Sequence, residues 1–118
     1  MSLFNYGLFD LHSGGTSKYK IDCDFHTIED LEGFAALAKD FIKFGEVVGI
    51  PRGGLRFASC LEQYATEGPT LIVDDVLTTA GSMIEARKQY RHANGLVIYS
   101  RIIPPPWIKS VYRFSLAD

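Results

Sequence analysis

Leu71-Ile72-Val73 is an unbroken apolar run that ends in two adjacent carboxylates, Asp74-Asp75, and no other stretch of the chain restricts the fold as strongly. Continuous Leu/Ile/Val segments mark strands covered on both faces, which occur in parallel sheets flanked by helices. Carboxylates at the end of such a strand are costly to desolvate and need partners there. Neighbouring side chains of a regular strand point to opposite faces, so one member of the pair can be structural. A ribose offers two adjacent hydroxyls as donors, and Mg²⁺ would relieve the charge. Behind the pair, Thr78-Thr79-Ala80-Gly81-Ser82 supplies backbone N–H groups and three hydroxyls leading into a helix, an arrangement suited to a phosphate. A strand-end acid and a small-residue turn are also an ordinary helix cap. The full combination is far more specific than either part.

The flanking sequence alternates strand and helix patterns. Thr27 can cap a helix, with Asp30 as a variant capping box and Glu29 adding negative charge to the first turn. Ile28, Leu31, Phe34, Ala35, Ala38, Phe41 and Ile42 then form one apolar face, and Gly45 is a natural stop. A short strand over 47–50 runs into Pro51-Arg52-Gly53-Gly54, followed by a helix over 55–65 with Leu55, Ala58, Leu61 and Ala65 on one face. After the acidic strand over 71–76, a helix is expected over 83–93, closed by Asn94-Gly95, and a strand over 96–103. Pro104-Pro105-Pro106 breaks the chain. A last, edge-like strand is expected over 110–116. Near the N-terminus, short apolar pieces flank a turn-rich stretch within 4–24, which reads as a hairpin or a strand-loop-strand lid. Such alternation implies an α/β fold, a central mostly parallel sheet flanked by helices, with ligands at the carboxyl ends of the strands. The loops 51–54 and 74–82 both follow strands and face the same crevice.

A length of 118 residues fits one domain, read as a hood over 1–24 and an α/β core over 25–118. The net charge of −2 provides no broad attraction for nucleic acid or an anionic membrane, so a bound anion must be held by local geometry. Cys23 and Cys60 make neither a disulfide framework nor a zinc spacing, and reduced thiols are expected. No stretch approaches a membrane span and no basic-then-apolar leader is evident, so the expected location is cytoplasmic. The chain has no Gly-Lys-Ser/Thr loop and no GxGxxG after a strand, which disfavours P-loop and dinucleotide sites.

Ile72-Val73-Asp74-Asp75-Val76-Leu77-Thr78-Thr79-Ala80-Gly81-Ser82 resembles the phosphoribosyl-diphosphate motif of type I phosphoribosyltransferases. The resemblance implies that Asp74 and Asp75 meet the ribose, directly or through a Mg²⁺ ion, while Thr78, Thr79, Ala80, Gly81 and Ser82 wrap the 5′-phosphate. The family often has glycine where Ala80 stands. Pro51-Arg52-Gly53-Gly54 is similar in position to the family's diphosphate loop, where Arg52 can pair with phosphate oxygens bidentately. Taken alone it is an ordinary strand-to-helix turn. The segment from Phe9 to Asp22, with its His12-Ser13-Gly14 turn and Tyr19, resembles the hood of orotate phosphoribosyltransferases, although the family often has lysine where His12 stands. A surface hairpin without a ligand is the alternative. Trp107 can stack on a base, as C-terminal aromatics do in some purine enzymes of the family, or pack on the core edge. His26 and His92 read as an ordinary helix start and helix surface. Arg87, Lys88, Arg91 and His92 read as a solvated basic face.

Orotate enzymes carry a long basic loop before the acidic strand. Here Glu62 to Thr70 fills that gap without a Lys, Arg or His. The resemblance thus implies Mg²⁺-dependent transfer of ribose 5-phosphate from phosphoribosyl diphosphate to a nucleobase, with an orotate-like pyrimidine first and a purine second. Asp74, Asp75 and Arg52 are the expected catalytic residues, and the partner is a second copy of the chain. A non-catalytic phosphoribosyl-diphosphate-binding module is the alternative.

Overall fold

The computed structural model describes residues 4–10, 16–21 and 26–113. Two strands, β1 (Phe4–Asp10) and β2 (Thr16–Ile21), pair antiparallel, with an irregularity in register between Tyr6 and Phe9. Helix α1 (Ile28–Ala38) leads into β3 (Val47–Gly49), α2 (Gly53–Leu61) with a 3₁₀ turn at Glu62–Tyr64, β4 (Leu71–Leu77), α3 (Gly81–Arg87), β5 (Asn94–Ser100) and β6 (Ile108–Arg113). The second sheet has the order β3-β4-β5-β6, and all its pairings are parallel. The expected parallel α/β architecture is therefore present. Among the described residues, no helix is long and apolar enough to cross a membrane.

The continuous apolar strands serve two layers at once. Leu71, Val73, Leu96 and Ile98 belong to one buried cluster with Leu31, Ala35 and Ala38 of α1 and Phe57, Ala58 and Leu61 of α2. The intervening Ile72 and Val97 belong to a second cluster with Met83 of α3, Ala93 and Ile108. Alternation thus fixes which way the residues after Val73 face.

Element limits differ from the sequence pattern where hydrogen bonding overrides periodicity. The capping box forms: Asp30 N–H donates to Thr27 Oγ1 and Thr27 N–H to Asp30 Oδ2, both at 3.1 Å. The regular helix ends at Ala38, and Ile28 and Phe41, expected on the apolar face, are exposed because Leu31, Ala35, Ala38 and Ile42 make the buried stripe. Helix α2 begins two residues earlier than expected, and Leu55 is exposed because Phe57, Ala58 and Leu61 take the core positions. Helix α3 is shorter than the predicted 83–93. Its continuation ends where His92 adopts φ 65°, and Asn94-Gly95, expected to close the helix, instead starts β5 in register with Leu71-Ile72. Strand β5 stops at Ser100, whose hydroxyl donates to Ile102 carbonyl oxygen at 2.6 Å and turns the chain out of the sheet. Strand β6 begins two residues before the expected start, and residues 114–116 of that expectation lie outside the described residues.

Residues 101–107 return the chain to the amino end of the sheet without a helix. The stretch bends at 101–102 and turns at 106–107, so seven residues bring the chain back past seven-residue β5. The proline break does the work that a crossover helix does elsewhere.

The contact that orients the whole carboxyl edge is the seat of α2 on β4. A Cβ on Gly54 would run into the Val73 carbonyl oxygen and lie 3.1 Å from Asp74 Cα. Only a residue without a side chain lets the helix approach so closely. Gly54→Ala is expected to lower stability by about 1–3 kcal/mol through overpacking. A urea titration checks this, and an unchanged midpoint would show that α2 retreats freely.

Candidate functional site

Both loops singled out in the sequence emerge at the carboxyl ends of neighbouring parallel strands, 51–54 after β3 and 78–82 after β4. The Pro51–Arg52 peptide is cis, and Arg52 is the N-cap of α2. Gly53 lies directly against the acidic pair: a Cβ there would overlap the Asp75 carboxylate. Arg52, Gly53 and Asp75 line one cavity of about 310 Å³ together with His26, Leu31, Leu55, Arg56 and Ile98.

Strand alternation starts the two side chains on opposite faces, yet the carboxyl groups remain in hydrogen-bond contact at the strand end. Asp75 follows Val73 at the strand period and opens into the cavity on the α1/α2 side. Asp74 follows Ile72, whose side chain packs with Met83 of α3. Each accepts the next backbone N–H, Asp75 N–H to Asp74 Oδ1 and Val76 N–H to Asp75 Oδ1, both at 2.8 Å. Burial, and next the Asp75 carboxylate beside it, push the Asp74 carboxyl up to about 7. At neutral pH this group sits between its two charge states, and a bound cation would favour the charged one.

The loop after β4 is rich in uncommitted donors. Thr78, Thr79, Gly81 and Ser82 are exposed, and among the described residues none of the N–H groups of 78–82 makes a backbone hydrogen bond. Ala80, the N-cap of α3, makes no side-chain cap and holds φ −92°, so alanine fits where a glycine was the family pattern. Val76 and Leu77 complete β4; Leu77 is buried, and its carbonyl accepts Arg101 N–H at 2.9 Å.

Several expected ligand contacts are not assembled here. Gly54 N–H is already donated to the Ile50 carbonyl at 2.9 Å and the residue is buried, so it is closed to a diphosphate. Trp107 stands at the amino end of the sheet, where its carbonyl accepts Gly95 N–H and its ring packs 4.5 Å from the Arg87 guanidinium. That is the end opposite the loops, so base stacking by Trp107 is excluded and core-edge packing is observed. Arg87, expected on a solvated basic face, is half-buried and donates to Ala93 carbonyl oxygen at 2.9 Å. His12, Ser13, Gly14 and Cys23 lie outside the described residues, as does the side chain of Tyr19. Cys60 is a buried free thiol.

Two cavity residues were missed in the sequence. His26 is a buried group rather than an ordinary helix start: Nε2 lies 3.1 Å from Tyr99 Oη, Nδ1 lies 3.6 Å from Asp30 Oδ2, and the ring stacks on Tyr99 and meets the edge of Phe34. Nothing in the local sequence marks it, because its partners come from α1 and β5. Arg56 stands four residues after Arg52 and donates from Nη2 to the His26 carbonyl at 3.0 Å. The i, i+4 spacing was its only signal.

No protein-family model matches the chain, and no curated protein does. Solved structures match over nearly its full length. Orotate phosphoribosyltransferase from Aeropyrum pernix superposes with a TM-score of 0.75 at 19% identity, covering 94% of this chain and 88% of that one. The fold is that of the type I phosphoribosyltransferases. UMP synthase from Leishmania donovani gives 0.73 at 17% identity over 94% of this chain, which spans 33% of that protein. Orotate phosphoribosyltransferase from Mycobacterium tuberculosis H37Rv, solved with inorganic phosphate, gives 0.68 at 16% identity over 92% of this chain and 86% of that one. Within this phosphoribosyltransferase fold, the Arg52 turn, Asp75 and the Thr78–Ser82 loop share the carboxyl edge where ligands of open α/β sheets bind.

The raised Asp74 pKa has a signed consequence for stability. Between about pH 4 and 7 the native state holds a proton that the unfolded chain releases, so stability falls as pH rises through that window. Asp74→Asn should flatten this slope and stabilise the ligand-free protein at pH 8 by ~1 kcal/mol, discounted because the group is only partly buried. Urea titrations at pH 5 and pH 8 measure the difference. A parallel pair of curves for wild type and variant would refute it.

Proposed function

We propose that this chain is a phosphoribosyltransferase that takes ribose 5-phosphate from phosphoribosyl diphosphate and passes it to a nucleobase, releasing diphosphate. One observation carries the reading: Arg52 and Gly53 converge on Asp75 at the end of β4, and the same strand continues into the donor-rich Thr78–Ser82 loop. An acceptor carboxylate suits sugar hydroxyls, a guanidinium suits diphosphate oxygens, and free N–H groups with hydroxyls suit a terminal phosphate. One molecule of phosphoribosyl diphosphate presents all three chemistries. The fold neighbours named as orotate phosphoribosyltransferases make an orotate-like pyrimidine the first choice of base. The displacement of Trp107 to the far end removes the sequence argument for a purine.

Mg²⁺ fits this donor set only as a shared ligand. Among the described residues no cluster of three or more His, Cys, Asp or Glu side chains is present. Mg²⁺ is commonly held by one or two carboxylates with substrate phosphates and water, and Asp74 and Asp75 are those carboxylates in this reading. Bound there, the ion would neutralise charge on the diphosphate. Asp75 orients the ribose, Arg52 holds the leaving diphosphate, and the loop hydroxyls fix the 5′-phosphate. A second copy of the chain completes the working unit in this proposal, in the cytoplasm.

A non-catalytic module is favoured by a different observation. Glu62–Thr70 follows α2 back to the amino end of the sheet, carries no basic residue, and connects there to Leu71. It therefore cannot close over the carboxyl edge, and closure that excludes water is a large part of catalysis of this kind. Isothermal titration with phosphoribosyl diphosphate and Mg²⁺, followed by a diphosphate-release assay on orotate, uracil and purine bases, separates the readings. Binding is expected, with Asp75→Asn and Thr79→Val each weakening it about tenfold. Binding without turnover on any base selects the module, and no binding by wild type overturns both readings.

A further inference from the structure

The charge pattern at the start of α2 is the reverse of what a helix start normally carries. Amino ends favour negative side chains, and α1 conforms, with Glu29 and Asp30 in its first turn. Helix α2 has no acidic residue in its first turn, yet Arg52 is its N-cap and Arg56 stands one turn later. Like charges at this spacing repel, adding to the unfavourable helix dipole. Neither arginine forms an ion pair among the described residues. Both line the same cavity as Asp75. Two unpaired guanidiniums held against a positive helix end are stabilised by an anion between them.

Arg56 is also held in place rather than free to swing. Its Nη2 donates to the His26 carbonyl, and His26 is fixed by burial, by Tyr99 and by the adjoining capping box. Its charge is left unneutralised by that bond because the acceptor is a backbone oxygen. Meanwhile Gly54 N–H is committed to Ile50, which removes one backbone donor from the turn. Among the residues of this turn and helix, a second phosphoryl group then finds its further donor in a side chain. Arg56 is the other basic group of α2, since the connection after it has none.

We propose that Arg56 acts with Arg52 as a two-arginine clamp for a diphosphate group, supplying from α2 the positive charge that the Glu62–Thr70 connection lacks. This rests on the phosphoribosyl-diphosphate reading above and extends it to a named residue and a ligand class: two linked phosphoryl groups over one. The alternative role for Arg56 is a strut tying α2 to the start of α1.

The test compares inorganic diphosphate, inorganic phosphate and phosphoribosyl diphosphate, each with Mg²⁺, on wild type, Arg56→Gln and Arg56→Lys by isothermal titration, with thermal midpoints recorded alongside. Wild type should prefer diphosphate to phosphate. Arg56→Gln should lower diphosphate affinity about tenfold while changing phosphate affinity much less. Arg56→Lys, which keeps the charge but loses the planar fork, should lose about threefold and keep part of the preference. If both variants, or Arg56→Lys alone should Arg56→Gln not fold, bind diphosphate as wild type does, the clamp is refuted and a shift confined to the thermal midpoint marks a strut. In that case wild-type binding of phosphoribosyl diphosphate leaves the broader reading standing. If wild type binds neither diphosphate nor phosphoribosyl diphosphate, both fall together.

Discussion

The close seat of α2 on β4 is the constraint from which the carboxyl edge follows. Helix and strand approach backbone to backbone at Gly54, where a single methyl group would strike the Val73 carbonyl. Gly53, one residue earlier, has the Asp75 carboxylate where its own side chain would be. The helix start is thereby fixed beside the end of the central strand, and whatever charge it carries is brought against the carboxylates. A larger residue at either position would push the arginine turn away from the acids. Packing of this kind is what turns two loops that are twenty residues apart in sequence into neighbours.

The electrostatics of the carboxyl edge are not arranged as internal pairing. Arg52 and Arg56 reach no carboxylate among the described residues, although Asp75 lines the same cavity. The acids are relieved instead by backbone N–H groups one residue on. Burial still holds Asp74 partly protonated at neutral pH. A protein selected only for stability would join these opposite charges or replace them. Keeping them apart costs free energy and leaves charges of both signs exposed along one edge, a pattern more typical of functional sites than of cores.

The parallel α/β architecture was legible because Leu71-Ile72-Val73 permits little else, and the loop positions followed from strand order. Residues whose role depends on one local segment were also legible: the Thr27 capping box, the Arg52-Gly53 turn, and Ala80 with its negative φ. What escaped was set by distant partners. His26 is defined by Tyr99, which is 73 residues away. Trp107 was placed by chemistry alone, and only the register of β6 on β5 shows that it belongs to the far end. Leu55 and Phe57 lie on opposite sides of the helix, and periodicity could not tell that the Phe57 side faces the core, since that depends on where the close-packed glycine points the helix.

Topology also bears on how the edge is covered. Helix α2 descends to the amino end before the Glu62–Thr70 connection begins, and the chain after β5 returns to the same end as a short, proline-rich strap. Both economies shorten the domain, and both spend residues away from the ligand loops. On the proposed reading, the described core holds a diphosphate by fixed cations at a helix start, with the Glu62–Thr70 connection directed away from them. A site built this way is preorganised but wet. Binding strength then rests on the geometry of Arg52, Arg56 and the Thr78–Ser82 donors, while the rate of any transfer depends on water being kept from the anomeric carbon by something other than the Glu62–Thr70 connection.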